Sequence, residues 1–175
     1  MYNNTLLKLI EQVYLNKDIH KRELSRKLGL GMPSVTYAIK KIGYLLKKRN
    51  VGNQMHFSLD YSNSELTPFL YMIENTRFNN LPKNIKNSVP KFLADLENKP
   101  LISLIFGSYA KGNYDKNSDI DLLLVFQKVS EKEIENSAKK INLAFNVKIE
   151  PIYLDYDTFK KSYHQNNKEF FLKLK

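Results

Sequence analysis

The sequence predicts an α+β fold made of two small domains with a helical segment between them. Residues 1–60 repeat apolar side chains at helical spacing, whereas residues 101–126 hold two apolar runs of strand length separated by a polar loop. With 175 residues and a hydrophobic fraction of 42%, the chain can bury one ordinary core or two small ones. We therefore predict domains at residues 1–61 and 100–175, joined by a helical connector at 62–99.

Positive charge is concentrated at the N-terminal end of the chain. The whole sequence has a formal net charge of +10, and residues 1–60 contain 11 Lys or Arg against 4 Asp or Glu. A basic segment that is also regularly patterned is typical of a module that binds a polyanion.

Composition excludes two classes of site. The chain has no cysteine, so disulfides and thiolate metal sites are excluded. Its three histidines, His20, His56 and His164, do not have zinc spacing, and any metal site must use oxygen ligands. No apolar stretch is long enough to span a membrane, and residues 1–14 do not show a basic region followed by an apolar cleavage segment. We expect a cytoplasmic protein with no membrane partner.

Residues 1–43 predict three helices. The first carries apolar residues at helical spacing, the second runs from Lys21 to Leu28 and ends at Gly29, and the third begins near Pro33. The apolar residues of the first helix are Leu6, Leu9, Ile10, Val13 and Tyr14. Two further runs, 44–49 and 54–59, flank a short turn-forming segment and predict a basic hairpin.

This order of three helices and a basic hairpin resembles the winged helix-turn-helix of prokaryotic transcription regulators. The resemblance implies that the third helix enters the major groove of double-stranded DNA while the hairpin, or wing, meets phosphates. The residues so assigned are Ser34, Thr36, Tyr37, Lys40 and Lys41 on the helix and Lys47, Lys48 and Arg49 on the wing. The alternative is a small helical domain for dimerisation or for recognising protein or RNA, with lysines that only solvate its surface.

The connector is expected to be helical. Residues 64–76 have helical apolar spacing, an Asn-rich break follows, and Pro82 and Pro90 are each expected to start a helix.

Residues 101–126 carry the most specific pattern of the chain. One apolar run leads into Gly107-Ser108, and ten residues later Asp119 and Asp121 open the next run. In a strand, these two aspartates project from one face while Ile120 turns into the core. Two neighbouring carboxylates are suited to bind Mg²⁺, which prefers oxygen ligands. A glycine turn before a helix is suited to bind phosphate, because the backbone can approach the ligand closely and the first N–H groups of the helix are free. Taken singly, each feature has an alternative. Gly107-Ser108 is then an ordinary turn from a strand into a helix, and Asp119 and Asp121 are solvated residues at the start of a strand.

The segment GSYAKGNYDKNSDIDLLL resembles the signature of the nucleotidyltransferase superfamily, which includes DNA polymerase β, and most closely its minimal members in bacteria and archaea. The resemblance implies a small mixed-sheet α/β domain and a third carboxylate on a neighbouring strand. A helix predicted from the capping-box pattern Ser130 to Glu133 is followed by a strand near residues 147–153, so Glu150 is the candidate. The alternative for Glu150 is an exposed glutamate on an edge strand.

The resemblance also implies the chemistry. Asp119, Asp121 and Glu150 would be the catalytic residues and the ligands of two Mg²⁺ ions about 3.5–4 Å apart. Gly107, Ser108 and Lys111 would bind the phosphates of ATP or another nucleoside triphosphate, with Lys116 as a less favoured alternative to Lys111. A solvated loop lysine is an equal alternative for both.

The predicted function is Mg²⁺-dependent transfer of a nucleoside monophosphate, AMP from ATP in the first instance, to an unidentified acceptor. Relatives in this superfamily include antitoxins that modify a HEPN-type toxin and enzymes that modify antibiotics, and the basic N-terminal domain favours the regulatory setting. The leading alternative is a DNA-binding regulator whose second domain binds nucleotide or a partner without turnover. A homodimer is left open for either function. A third is template-independent addition of nucleotides to RNA.

Overall fold

The computed structural model describes residues 4–164 and divides the chain into two compact units at the bond between Asn79 and Asn80. The first unit contains four helices and a three-stranded sheet among these described residues. Its elements are α1 (Asn4–Asn16), β1 (Ile19–His20), α2 (Lys21–Leu28), α3 (Met32–Lys41), β2 (Leu46–Val51), β3 (Gln54–Leu59) and α4 (Thr67–Asn79). Short 3₁₀ turns at Gly43–Leu45 and Ser64–Leu66 precede β2 and α4.

Local sequence explains the turns of the first unit. Gly29 ends α2 in the left-handed conformation at φ 63°, and its N–H donates to the carbonyl of Arg26. Pro33 lies in the first turn of α3, where a helix needs no N–H from it. β2 and β3 form an antiparallel hairpin closed by Gly52 and Asn53, with Gly52 at φ 56°.

The first unit has the architecture of a winged helix-turn-helix, as predicted. β1 completes the sheet in the order β1-β3-β2, and the two residues of this short strand were not predicted. The core is formed where α1, α2 and α3 bury their apolar faces against β3 and α4. Its fully enclosed side chains include Leu9, Ile10, Val13, Leu24, Val35 and Phe57.

The second unit contains a mixed three-stranded sheet and its helices. Its elements are α5 (Lys83–Asp95), β4 (Ile102–Ile105), α6 (Gly107–Lys111), β5 (Ile120–Phe126), α7 (Glu131–Phe145), β6 (Ile149–Asp155) and α8 (Tyr156–His164). The strand order is β4-β5-β6, with β4 antiparallel and β6 parallel to β5. The last residues of the predicted 100–175 domain, 165–175, lie outside the described part.

β5 is the central strand, and its apolar residues are buried on both faces. Leu122, Leu124 and Phe126 pack with α5 and α7 on one face. On the other face, Leu123 and Val125 form a smaller cluster with apolar residues from the strand ends and α8, namely Phe106, Leu154 and Phe159. A strand with near-continuous hydrophobicity is expected where both faces of a sheet are covered.

The segment 62–99, predicted as one connector, is shared between the two units. Phe69 and Ile73 of α4 belong to the core of the first unit, whereas Ile85 and Phe92 of α5 belong to that of the second. Pro90 does not start a helix, because α5 continues through it from Lys83. Within residues 4–164, no helix combines the length and apolar character that a membrane span requires.

The predicted capping box of α7 is also wrong, although the helix forms where expected. Ser130 precedes α7 without a side-chain hydrogen bond to it. The carboxylate of Glu133 instead accepts hydrogen bonds from the backbone amides of Glu97, at 2.5 Å, and Asn98, at 3.2 Å. A tertiary contact has therefore replaced the local one that the sequence favoured.

Candidate active site

The register between β5 and β6 brings four charged residues to one end of the sheet. Asp121 is paired directly with Glu150, and the N–H of Ile120 donates to the carbonyl of Lys148 at 2.7 Å. Paired residues on neighbouring strands share a face, and alternate residues of a strand return to it. Asp119, Asp121, Lys148 and Glu150 therefore lie on one side, while Ile120 and its partner Ile149 are buried on the other.

Gly107 fits directly against the carboxylate of Asp121. The N–H of the preceding Phe106 donates to the carbonyl of Asp121 at 3.0 Å, which continues the β4–β5 pairing to this point. A Cβ atom on Gly107 would lie only 1.9 Å from Oδ2 of Asp121, and the glycine has φ +65°. Any side chain at position 107 would have to displace this carboxylate, in a backbone conformation that L residues rarely adopt.

The loop between α6 and β5 fixes the approach to Asp119. The carboxylate of Asp115 accepts a hydrogen bond from the N–H of Asn117 at 2.8 Å, and the N–H of Asp115 donates to the hydroxyl of Ser118 at 2.8 Å. The rings of Tyr109, on α6, and Tyr114, in this loop, stack with centroids 4.6 Å apart. Asp115 and Ser118 therefore shape the loop that leads into β5.

Lys148 lies between two of the candidate carboxylates. Its ammonium nitrogen is 2.8 Å from Oδ2 of Asp119 and 2.6 Å from Oε1 of Glu150. These hydrogen bonds raise the pKa of Lys148 well above its usual range, with the Asp119 contact as the larger cause. Over residues 4–164, no three His, Cys, Asp or Glu side chains are gathered closely enough to hold a metal ion.

The surroundings of Asp121 raise the pKa of its carboxyl group. Burial raises its pKa, and the negative charges of Asp119 and Glu150 raise it further. The positive charges of Lys111 and Lys148 oppose that rise. The predicted trio thus forms one electrostatic group, and Lys111 from α6 is close enough to act on it.

Two of the three carboxylates border an open cleft of about 310 Å³. Its lining includes Asp121, Glu150 and Lys148, with Asn142 of α7 and Ile152 at its sides. Asn142 is held by the backbone of β6, since its Oδ1 accepts from the N–H of Ile149 at 2.8 Å. The cleft gives a ligand access to the charged end of the sheet.

The other candidate residues of this unit lie on α6 and in the loop that follows it. Gly107, Ser108 and Lys111 all belong to α6, with Ser108 half-buried in its first turn, whereas Lys116 is exposed in the loop that follows. Asp155 caps α8, because its carboxylate accepts from the N–H of Thr158 at 2.8 Å and this bond lowers its pKa.

The sequence interpretation did not assign a role to Lys148. A signal was present, because Lys148 precedes Glu150 by two residues, as Asp119 precedes Asp121. When the register aligns two such pairs on adjacent parallel strands, all four side chains lie next to one another on the same face of the sheet. The register itself cannot be read from either strand alone.

The candidate DNA-binding residues of the first unit are all exposed, but two of them already have acidic partners. On the wing, Arg49 is 2.6 Å from Asp18 and Lys47 is 3.1 Å from Asp60, between the nearest charged atoms. On α3, the hydroxyl of Thr36 donates to the carbonyl of Met32. The remaining candidates are Ser34, Tyr37, Lys40 and Lys41 on α3, where Lys41 lies over the Tyr37 ring, and Lys48 on the wing.

Comparison with known proteins points to the second unit. The profile of the family described as "Nucleotidyltransferase domain" matches residues 87–175. A protein of Methanocaldococcus jannaschii named "Putative protein adenylyltransferase" is 30% identical over 74 residues, which cover 40% of this chain and 72% of the relative.

One solved structure resembles part of the chain weakly. It is the homodimeric winged helix-turn-helix DNA-binding domain of a Mycobacterium bovis protein, at 11% identity and TM-score 0.35, covering 46% of this chain and 73% of that one. A score this low does not establish a shared fold. The description of the first unit therefore depends on its own helices, turn and hairpin.

Proposed function

The chain belongs to the nucleotidyltransferase-domain family and is a nucleotidyltransferase enzyme. On that premise we propose that it transfers AMP from ATP, with Mg²⁺, to a hydroxyl group of a protein acceptor and releases pyrophosphate. The observation that supports the site most strongly is the set of three carboxylates, those of Asp119, Asp121 and Glu150, which the β5–β6 register brings to one face of the sheet. Gly107 strengthens it, because the turn after β4 has no side chain at the point where Asp121 lies.

Each residue of the site has a proposed role. Asp119, Asp121 and Glu150 are hard oxygen donors on one face, and their mutual repulsion in a partly buried cleft fits a divalent cation. Bound there, Mg²⁺ would neutralise phosphate charge and activate the acceptor hydroxyl. Ser108 and the α6 backbone would bind the triphosphate, and Lys111 would add positive charge beside it. Glu150 would also help to remove the proton of the acceptor hydroxyl.

The proposed nucleotide and acceptor are suggested by the Methanocaldococcus jannaschii relative, whose name describes a protein adenylyltransferase. A HEPN-type toxin is one such acceptor and would make this chain an antitoxin that acts in the cytoplasm. The choice of ATP is a proposal about the class of reaction, because none of the site residues described above is assigned to the base.

The reaction is tested by incubating the protein and its host lysate with Mg²⁺ and ATP, CTP, GTP or UTP labelled at the α-phosphate. We expect label to appear on a protein when ATP is supplied, and Asp121→Asn to reduce the rate by about a hundredfold or more. Asp155→Asn is the matched control, because Asp155 lies at the opposite end of β6 and caps α8.

Three outcomes of this experiment separate the hypotheses. Transfer that survives Asp121→Asn would refute the site assignment. Label on RNA would favour nucleotide addition to RNA, and label from another nucleotide would change the proposed substrate. Absence of transfer with all four nucleotides would favour a regulator that binds nucleotide without turnover.

We also propose that the first unit binds double-stranded DNA, as a homodimer that spans two half-sites. The supporting observation is the exposed basic side of α3 next to a wing that carries Lys48 and Arg49. Lys40 and Lys41 are placed on that side of α3 and would contribute phosphate or groove contacts.

DNA binding is tested by fluorescence anisotropy over a range of salt concentrations, with sedimentation to measure the stoichiometry. Lys40→Ala/Lys41→Ala should weaken binding and reduce the slope of log affinity against log salt by about two per bound copy. Lys132→Ala/Lys139→Ala on α7 makes the same charge change in the other unit and should have little effect. If both double variants weaken binding equally, the attraction is non-specific and α3 is not the reading element.

A further inference from the structure

We propose that Lys148 is an internal counter-ion of the active site, which holds Asp119 and Glu150 together without metal and must leave when a divalent cation binds. The inference rests on the proposed function, because it takes these carboxylates as the metal ligands. It goes beyond that function by giving the site a second, built-in occupant.

The backbone fixes the point from which the Lys148 side chain extends. Its carbonyl accepts the N–H of Ile120 at 2.7 Å, so its Cα is fixed beside the start of β5. From there the ammonium reaches one oxygen of Asp119 at 2.8 Å and one of Glu150 at 2.6 Å. The two carboxylates come from different strands, and Lys148 bridges them.

The same oxygens cannot serve both cations well. A divalent cation bound between Asp119 and Glu150 would lie within a few ångströms of the ammonium, and like charges so close repel strongly. Lys148 can respond, because 61% of its side chain is exposed and its four-carbon stem is flexible. The side chain would then turn into the cleft that Lys148 itself lines, where the phosphates of the nucleotide would be its new partners.

Lys148 could compete with the metal for the carboxylates or only hold them in place, and these two roles predict opposite changes in metal affinity when Lys148 is removed. If Lys148 only braces the site, its removal should leave the carboxylates less ordered and weaken metal binding. If Lys148 occupies the cation position, its removal should strengthen metal binding, because nothing has to be displaced. The affinity for metal in the absence of nucleotide therefore separates the two roles without any use of enzymatic activity.

The experiment uses the full chain and Mn²⁺ as the probe, with free Mn²⁺ measured by electron paramagnetic resonance. Lys148→Met keeps the length of the side chain and removes its charge, and we expect it to bind Mn²⁺ about five- to thirtyfold more tightly than the wild type. Lys148→Arg keeps a cation and should remain near the wild-type affinity. Lys140→Met is the matched control, because Lys140 forms an ion pair with Asp95 elsewhere in the same unit.

A thermal melt of each variant confirms that it is folded and adds a second readout. Without metal, Lys148→Met should melt at a lower temperature than Lys140→Met, and saturating Mn²⁺ should remove most of that difference. Equal or weaker Mn²⁺ binding by Lys148→Met would overturn the proposal, even where Asp121→Asn abolishes label transfer and the proposed function stands. If neither the wild type nor Lys148→Met binds Mn²⁺, the carboxylate site fails together with this inference.

Discussion

The two units of this protein handle charge in opposite ways. In the first unit, basic residues of the wing meet the unit's own acids, as Arg49 does with Asp18 and Lys47 with Asp60. In the second unit, carboxylates meet the unit's own base, Lys148. Each unit thus partly neutralises the surface that is proposed to bind a ligand of the opposite charge.

The two surfaces differ in what fixes their charged groups. The carboxylates of the second unit stand at defined positions of a β-sheet, and Asp121 is also pressed against Gly107. The wing residues stand on β2, an edge strand of the three-stranded sheet, and are exposed to solvent. Exposed ion pairs contribute little to stability and are easily exchanged. Chemistry in the second unit should therefore be sensitive to backbone position, whereas binding by the first should be sensitive to net charge.

Gly107→Ala should have the largest effect among the changes that leave all three carboxylates in place. The new methyl group would overlap the Asp121 carboxylate, and a displacement of about 1 Å at a catalytic group can cost about a hundredfold in rate. We expect nucleotide transfer to fall by about that factor while the fold is retained, as measured by the labelling assay and circular dichroism.

Gly112→Ala is the control for this change. Gly112 also has a positive φ, of +75°, but a Cβ there meets nothing within 4 Å. Both variants therefore share the conformational penalty of about 1 kcal/mol, and only Gly107→Ala moves a carboxylate. If both lose activity equally, backbone strain explains the effect and the contact with Asp121 does not.

The contrast between the units also shows how far the sequence could be interpreted. Helix periodicity, Gly29 and Pro33 were sufficient to predict α2 and α3, and alternation around Ile120 placed Asp119 and Asp121 on one side of a strand. These are local properties of a helix or a strand. The sequence therefore predicted the elements of both units well.

What the sequence did not predict depends on pairing between distant segments. The bridge made by Lys148 requires the β5–β6 register, and the fit of Gly107 requires β4 to end opposite Asp121. Glu133 accepts a hydrogen bond from the backbone of Asn98 and does not form the predicted capping box. The segment 62–99 belongs to both units, because α4 and α5 pack into different cores. In each case a tertiary contact outweighed a local preference.

Asp18→Asn should have a smaller effect, in the first unit. The change removes the acid that holds Arg49 at 2.6 Å and leaves the guanidinium free to meet a phosphate. We expect DNA affinity to rise about two- to fivefold at low salt, with a salt slope steeper by about one per bound copy. Anisotropy at several salt concentrations measures both quantities.

Glu65→Gln provides the matched charge change, at an exposed position in the short 3₁₀ turn that follows the wing. If it raises DNA affinity as much as Asp18→Asn does, total charge alone controls binding and the Arg49 pair is irrelevant. An unchanged affinity in Asp18→Asn would place the wing outside the DNA interface.

The smallest expected effect is on stability and has the opposite sign to the effect on catalysis. Because the pKa of folded Asp121 is raised by burial and by Asp119 and Glu150, its ionised form destabilises the metal-free fold. Asp121→Asn should therefore raise the melting temperature at neutral pH by about 1–3 °C while it abolishes transfer.

The stability of the wild type should also depend on pH, because its folded state binds a proton at Asp121 at a higher pH than the unfolded chain does. Its stability relative to the variant should therefore recover as the pH falls through the raised pKa toward the ordinary value of 3.8. Calorimetry between pH 7 and pH 4 tests the sign, and Mg²⁺ should stabilise the wild type more than the variant. A lower melting temperature for Asp121→Asn at neutral pH would mean that its contacts at Gly107 outweigh the repulsion, so that fit and not charge determines the stability of this site.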